Sequence, residues 1–239
     1  MDKPEMPWLA IGRLEWWPSP NLRQQCTGTL IADHFVLTAA HCVFRQGHGE
    51  NGLLDASEAL SPEALTFCAF ATTSDPGRCS PVTAILRDMT PAGLRRENDW
   101  AVLRLRENLG RTAQLKLIPY RPSVGEDLVL AGYSSDFGDG GDTAGIDPHC
   151  HVFNPPMGVW GSAFFGMDCD TMSGASGGPV LKMFPNQAQP VIIGISTFAV
   201  CPAGQTEGRY CKYTNTSANV ALASLSFAEK ALKLISSSD

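Results

Sequence analysis

Along this chain apolar positions come in short runs separated by turn residues, and almost nowhere at helical spacing. Cys26 to Ile31 and Phe35 to Ala39 are two such runs flanking Ala32-Asp33-His34, a pattern that predicts a hairpin. From Trp100 to Arg106 the residues alternate, which puts Leu103 and Leu105 on one face of a strand and Arg104 and Arg106 on the other. Leu128 to Ala131, Val180 to Met183 and Val191 to Thr197 are mostly apolar runs of the length expected for buried strands. Among them, Asp136-Phe137-Gly138-Asp139-Gly140-Gly141-Asp142 reads as a solvated loop, and its acidic residues lack the spacing of an EF-hand calcium loop. Only the C-terminus carries a helical stripe, made by Phe227, Ala231, Leu234 and Ile235, with Ser226 as N-cap and Glu229 three residues on.

The predicted fold class is therefore all-β with one C-terminal α-helix. Many short strands favour sheets closed into barrels, because closure removes exposed edges. A chain of 239 residues is long enough for one large core or two small ones. Gly, Pro and polar residues concentrate between Gly110 and Ser123, which divides the chain into residues 1–112 and 113–239. The net charge of −6 is spread without basic runs, which argues against nucleic acid as a partner. No apolar run has the length of a membrane span, so no membrane partner is expected. The first six residues, Met1 to Met6, have no apolar core and do not read as a signal peptide; Met1 reads as an artificial start or the edge of a trimmed mature form. The eight cysteines, with no Cys-x-x-Cys pair, point to disulfides and to a secreted or periplasmic location.

Candidate chemistry centres on Ser173-Gly174-Ala175-Ser176-Gly177-Gly178-Pro179. A serine hydroxyl is a weak nucleophile unless a base takes its proton. Glycines around Ser176 allow a tight, exposed turn, in which the N–H groups of Gly174 and Ser176 can receive a developing oxyanion. His41, in Thr38-Ala39-Ala40-His41-Cys42, is the candidate base, and Asp99, in Asn98-Asp99-Trp100-Ala101-Val102, the group that orients it. The order His41, Asp99, Ser176 is one of several in which such a triad occurs.

These three blocks resemble the active-site blocks of the trypsin/chymotrypsin-like serine proteases. Cys169-Asp170-Thr171 and the alanine before Ser176 are most similar to the V8-type, glutamyl-endopeptidase-like branch. The likeness runs from about Cys26 to about Val220. It implies two six-stranded antiparallel β-barrels, the first carrying His41 and Asp99 and the second carrying Ser176, and a Cys26–Cys42 disulfide bracing the His41 loop. The remaining cysteines are expected to pair as neighbours, Cys68–Cys79, Cys150–Cys169 and Cys201–Cys211. His149-Cys150-His151 with Cys169 and Asp170 has metal-ligand residue types. Adjacent strand residues point to opposite faces, however, so a disulfide with two incidental histidines is the preferred reading.

The resemblance implies a serine endopeptidase acting on protein or peptide substrates, as a monomer, with no cofactor and no metal. The alternatives are an esterase or amidase on the same scaffold, and a catalytically blocked binding module. Asp170, six residues before Ser176, falls where the trypsin-like pattern has the base of the primary pocket and would select Lys or Arg; Asp-Thr in this place also recurs in the V8-type branch, whose members share no basic preference, so a structural Asp170-Thr171 is the alternative. Ser196, Thr197 and Phe198 fall on the pocket's wall strand. Met172, Ala199 and Cys211 depart from the trypsin-like pattern, the last two by replacing glycines. Ser196 stands where glutamate-selective members carry a histidine. Ala175 has no carboxylate with which a new N-terminal amine could pair, so the charge-based activation of chymotrypsin-like zymogens has nothing to act on at this position. Asn215-Thr216-Ser217 is a glycosylation sequon.

Overall fold

Strand-forming runs and tight turns dominate the molecule as the pattern requires. The computed structural model describes residues 7–45, 59–88, 95–111, 113–137, 139–153, 161–200, 206–207, 210–211 and 218–238. Strands β1 (Ile11–Ser19), β2 (Leu22–Ala32), β3 (Phe35–Thr38), β4 (Thr66–Ala69), β5 (Arg78–Leu86) and β6 (Ala101–Leu105) close one barrel in the order β1-β2-β3-β6-β5-β4. Strands β7 (Asp127–Gly132), β8 (Gly145–Phe153), β9 (Phe164–Met167), β10 (Pro179–Lys182), β11 (Val191–Val200) and β14 (Ala218–Ala223) close a second, in the order β10-β11-β14-β9-β8-β7. Read in the opposite sense, the second order repeats the first, a duplication of topology that no sequence repeat announces. All pairings within the barrels are antiparallel. The short strands β12 (Thr206–Glu207) and β13 (Tyr210–Cys211) form a separate ribbon.

Every strand expected from the apolar pattern is present, with boundaries that differ by a few residues. β2 begins at Leu22, ahead of the apolar run, because its first residues pair with β1 while remaining partly exposed. Arg104 is exposed between the buried Leu103 and Leu105, as alternation dictates.

One core cluster joins the barrels. Leu30, Val36 and Leu103 from the first share it with Leu181, Ile192 and Leu222 from the second. The connecting segment is bonded to both sides. Leu115 N–H donates to Leu30 O (2.9 Å), and Ile192 N–H donates to Lys116 O (2.8 Å). The two barrels are thus held together by backbone hydrogen bonds and shared apolar packing, which stabilises their contact through area removed from water.

The terminal helix α1 (Ala228–Ser236) follows a short 3-10 turn at Ser224–Ser226. Ser226 does not cap it; its hydroxyl donates to Ala223 O (2.7 Å) inside that turn, and Phe227 takes the N-cap position without a side-chain bond. Phe227, Ala231 and Ile235 are buried as the stripe predicts. Phe227 stacks on Trp100 at 5.7 Å, so the start of α1 packs against the residue that follows Asp99.

Among the described residues three disulfides are formed, Cys26–Cys42, Cys68–Cys79 and Cys150–Cys169. Cys68 and Cys79 are register partners on β4 and β5. The expected Cys201–Cys211 pair, the Asn215 sequon and the first six residues lie outside the described residues or side chains. Among the described residues no helix is long and apolar enough to cross a membrane.

The Asp136–Asp142 stretch is more than a solvated loop. The Asp142 carboxylate accepts from Arg13 Nη1 (3.1 Å) and from Arg23, and Gln25 Nε2 donates to Gly141 O (3.0 Å). Each partner belongs to the first barrel, 116–129 residues away in sequence, so local composition carried no sign of them. Asp139 closes the loop by accepting from the N–H groups of Asp142 (2.9 Å) and Thr143 (3.1 Å).

Candidate active site

His41 sits on a short 3-10 turn (Ala40–Val43) that ends β3, and Cys42 beside it is tied to β2 through Cys26. Asp99 follows another short turn, Arg96–Asn98, and is fully buried. Its carboxylate grips His41 twice: Oδ1 accepts the backbone N–H and Oδ2 faces ring Nδ1, each at 2.8 Å. A carboxylate can only accept, so Nδ1 carries the proton and the neutral ring keeps its lone pair on Nε2. Burial alone would lower the pKa of His41; the charge of Asp99 and its hydrogen bond outweigh burial and hold it above the ordinary histidine value.

The Ser176 turn is fixed on nearly every side. The Ala175 N–H donates to Met172 O (3.2 Å), closing a four-residue turn with Gly174 in third place at φ +96°. That is a type II geometry, which needs glycine at this position. A Cβ on Gly174 would lie 2.2 Å from Tyr133 O; one on Gly177, at φ +79°, would lie 2.3 Å from Thr38 Oγ1 and 2.4 Å from Thr27 O.

Four successive carbonyls of the turn are occupied. Ser173 O accepts from Ser135 N–H (2.8 Å), Ala175 O from Gly178 N–H (2.8 Å) and Ser176 O from Thr27 N–H (2.8 Å). Gly174 O accepts from Thr27 Oγ1 (2.8 Å). In a trans peptide the C=O and N–H point to opposite sides. Fixing the carbonyls of Ser173 and Ala175 therefore aims the N–H groups of Gly174 and Ser176 the other way, and among the described residues neither donates to a protein acceptor.

The structure thus joins His41 and Asp99 directly, and ties the Ser176 turn to the same region through Thr27, the neighbour of Cys26. Sequence reasoning missed Thr27, Thr38 and Ser134, whose hydroxyls do this work; Ser134 Oγ accepts from Met172 N–H (2.8 Å). The one local signal was that Thr27 adjoins a cysteine pairing beside His41. Thr27's bonding partners Tyr133 and Gly174 are 106 and 147 residues distant.

The expected substrate-binding residues fall in two places. Ser196 is buried in β11 and exchanges backbone hydrogen bonds with the Ser176 turn, donating to Gly178 O (2.9 Å) and accepting from Gly177 N–H (2.8 Å). Thr197 Oγ1 donates to Val220 O (3.0 Å). Phe198 lies under the Arg96 guanidinium, 4.8 Å from its ring centre, a cation–π contact from the turn that carries Asp99. Asp170 and Thr171 instead line a cavity of about 360 Å³ with Asp136, Asp147 and Ala175, to which Ser196, Thr197 and Phe198 do not contribute. Asp170 N–H donates to Asp147 Oδ2 (2.8 Å), and burial, reinforced by the charges of Asp136 and Asp147, raises the Asp170 pKa.

His149 and His151 do not form a metal centre with their neighbours, because Cys150 and Cys169 are bonded to each other. His151 lies between Asp127 (3.3 Å) and Asp168 (3.5 Å) on the exposed side of β8. Cys26, His41 and Cys42 also cluster within ligand distance, but both sulfurs are spent in a disulfide.

Two closed six-stranded barrels with one terminal helix, the first carrying a paired His41 and Asp99, define a chymotrypsin-like architecture. The model of the trypsin-like peptidase domain matches residues 26–184, and the chain belongs to that family. Among characterised proteins it is 29% identical over 147 residues to phenoloxidase-activating factor 3 of Holotrichia diomphalia, covering 56% of this chain and 40% of that protein. It is 24% identical over 248 residues to the Spaetzle-processing enzyme of Drosophila melanogaster, covering 90% of this chain and 61% of the relative. The matches therefore span less than two thirds of these relatives. Among solved structures, a Glu endopeptidase superposes with a TM-score of 0.67 at 19% identity, over 98% of this chain and 91% of the other. A scabies mite inactivated protease paralogue gives 0.67 at 20% identity, over 95% and 94%. Mouse neuropsin gives 0.65 at 16%, over 96% and 95%.

Proposed function

We propose that the chain is a serine endopeptidase that cleaves protein or peptide substrates through an acyl-enzyme. Ser176 Oγ attacks the carbonyl carbon while His41 Nε2 takes its proton. The carbonyl oxygen becomes an oxyanion held by the N–H groups of Gly174 and Ser176. Collapse breaks the C–N bond, and His41 returns the proton to the departing amine. Water then repeats the sequence on the ester, releasing the acid and restoring Ser176. Asp99 keeps Nδ1 protonated and offsets the imidazolium charge.

The observation that carries this reading is the double grip of Asp99 on His41, which orients Nε2 as an acceptor. Likeness to an inactivated paralogue is likeness of fold and does not decide activity; a blocked binding module has no need of an oriented base. Each oxyanion donor is worth about 2.7–4 kcal/mol of barrier, so the two free N–H groups count as much as the base. Ser196 is uncharged and buried, so it offers a glutamate side chain no cation. The three described disulfides fit a secreted protein.

A fluorophosphonate probe is expected to label Ser176 stoichiometrically, with the adduct located by peptide mass spectrometry. An unlabelled, folded chain would overturn the enzyme reading in favour of the blocked module.

The pH profile follows from His41. Only the neutral ring can accept the Ser176 proton, and Asp99 favours the charged ring. Activity is therefore expected to rise with pH, with its midpoint above the ordinary histidine value of ~6.5. Steady-state kcat/KM from pH 5 to 9 checks this; a flat profile with chemistry limiting would remove His41 as the base.

A further inference from the structure

We propose that Thr27 is a positioning residue that sets the oxyanion-binding turn from the opposite barrel. This rests on the endopeptidase reading above and assigns a role to a residue outside the triad.

Thr27 lies on β2 and is fully buried. All its polar groups are committed. Its N–H donates to Ser176 O (2.8 Å), and its hydroxyl donates to Gly174 O (2.8 Å). The same hydroxyl oxygen accepts from Tyr133 N–H (2.9 Å), and its carbonyl accepts from Thr38 Oγ1 (2.7 Å). Thr27 thus pins the peptide plane that follows each of the two donor residues, Gly174 and Ser176. Through Thr38 it also reaches the segment leading to His41.

The hydroxyl bond matters most at Gly174. Glycine takes either sign of φ at little cost, so nothing in its own backbone preference prevents the turn from relaxing. At φ +96° the residue depends on what its neighbours hold in place. The residue that follows, Ala175, is buried and has no charge with which to anchor the turn. The anchors are neutral hydroxyls and amides, and Thr27 supplies two of them from a strand that belongs to the other barrel. Closing the barrel interface and shaping the oxyanion site are on this account a single event.

Thr27→Val keeps the shape but leaves Gly174 O and Tyr133 N–H unpaired; Thr27→Ala removes the same bonds with less crowding; Thr27→Ser keeps the hydroxyl. The measurements are kcat and KM on a peptide substrate, the rate of Ser176 phosphonylation by a fluorophosphonate, and the pH midpoint. The valine and alanine variants are expected to lose about 10–100-fold in both kcat and phosphonylation rate, from donors displaced by a fraction of an ångström, with KM nearly unchanged. Serine is expected to restore both rates, and the pH midpoint should stay fixed because the His41–Asp99 pair is untouched. A merely structural residue would lower the melting temperature without this split between kcat and KM. Wild-type rates in a folded valine or alanine variant would overturn the proposal. So would loss of folding in both, which would make Thr27 a fold residue only. Failure of the wild-type chain to react would instead overturn the endopeptidase reading, and this inference with it.

Discussion

Replacing Ser176 with alanine is expected to lower kcat for peptide hydrolysis by roughly 10⁶-fold, the scale of loss when a triad nucleophile is removed. The fold should survive. Ser176 is partly exposed, and the bonds that hold its turn run through backbone atoms: its carbonyl to Thr27 and the neighbouring Gly177 N–H to Ser196 O. Alanine keeps all of them and removes only the attacking oxygen. The two N–H donors remain, so a residual rate of about 10³–10⁴ over the uncatalysed reaction is expected from oxyanion binding and substrate positioning. Turnover on a peptide substrate, with thermal melting as the control for folding, checks both halves. Wild-type turnover in the variant would exclude Ser176 as the nucleophile.

This outcome hinges on features of unequal visibility in the sequence. The strands were legible because burial on one face imposes alternation, as at Leu103, Arg104 and Leu105. The terminal stripe was legible for the same reason, though not its cap, since Ser226 found a nearer acceptor in Ala223 O. Candidate site residues stood out where chemistry demands rare combinations: a serine between glycines, and a histidine beside a cysteine. What joins them was hidden. Thr27 reads as one more strand threonine, Asp142 as one more loop acid, and their roles arise from partners on the other barrel. Long-range partners leave no periodic trace. Asp170 is a further case, since its place six residues before Ser176 is compatible with a pocket base or with scaffold, and its electrostatic setting is not written in the local sequence. Two other carboxylates, Asp136 and Asp147, line the same cavity as Asp170, and burial together with their charges raises its pKa.

Asp99→Asn is expected to lower kcat at neutral pH by about 10⁴-fold while leaving the protein folded. The size of the effect follows from proton bookkeeping rather than from lost packing. Asp99 meets two donors on His41, the backbone N–H and ring Nδ1. Asparagine has one acceptor oxygen and one donor NH₂ in their place. With its oxygen on the backbone N–H, its NH₂ faces Nδ1, and the ring must turn its lone pair toward the NH₂. The proton then moves to Nε2, where a base is needed, and Ser176 faces a donor. The substitution also removes the carboxylate that raises the His41 pKa, leaving burial to lower it. The acidic limb of the pH profile should accordingly move to lower pH even as the plateau falls. Kinetics across pH, together with the chemical shifts of the imidazole N–H protons, separate these two effects. A variant within tenfold of wild type at every pH would mean that Asp99 holds the loop and not the tautomer, and the assignment of His41 as an oriented base would fall with it.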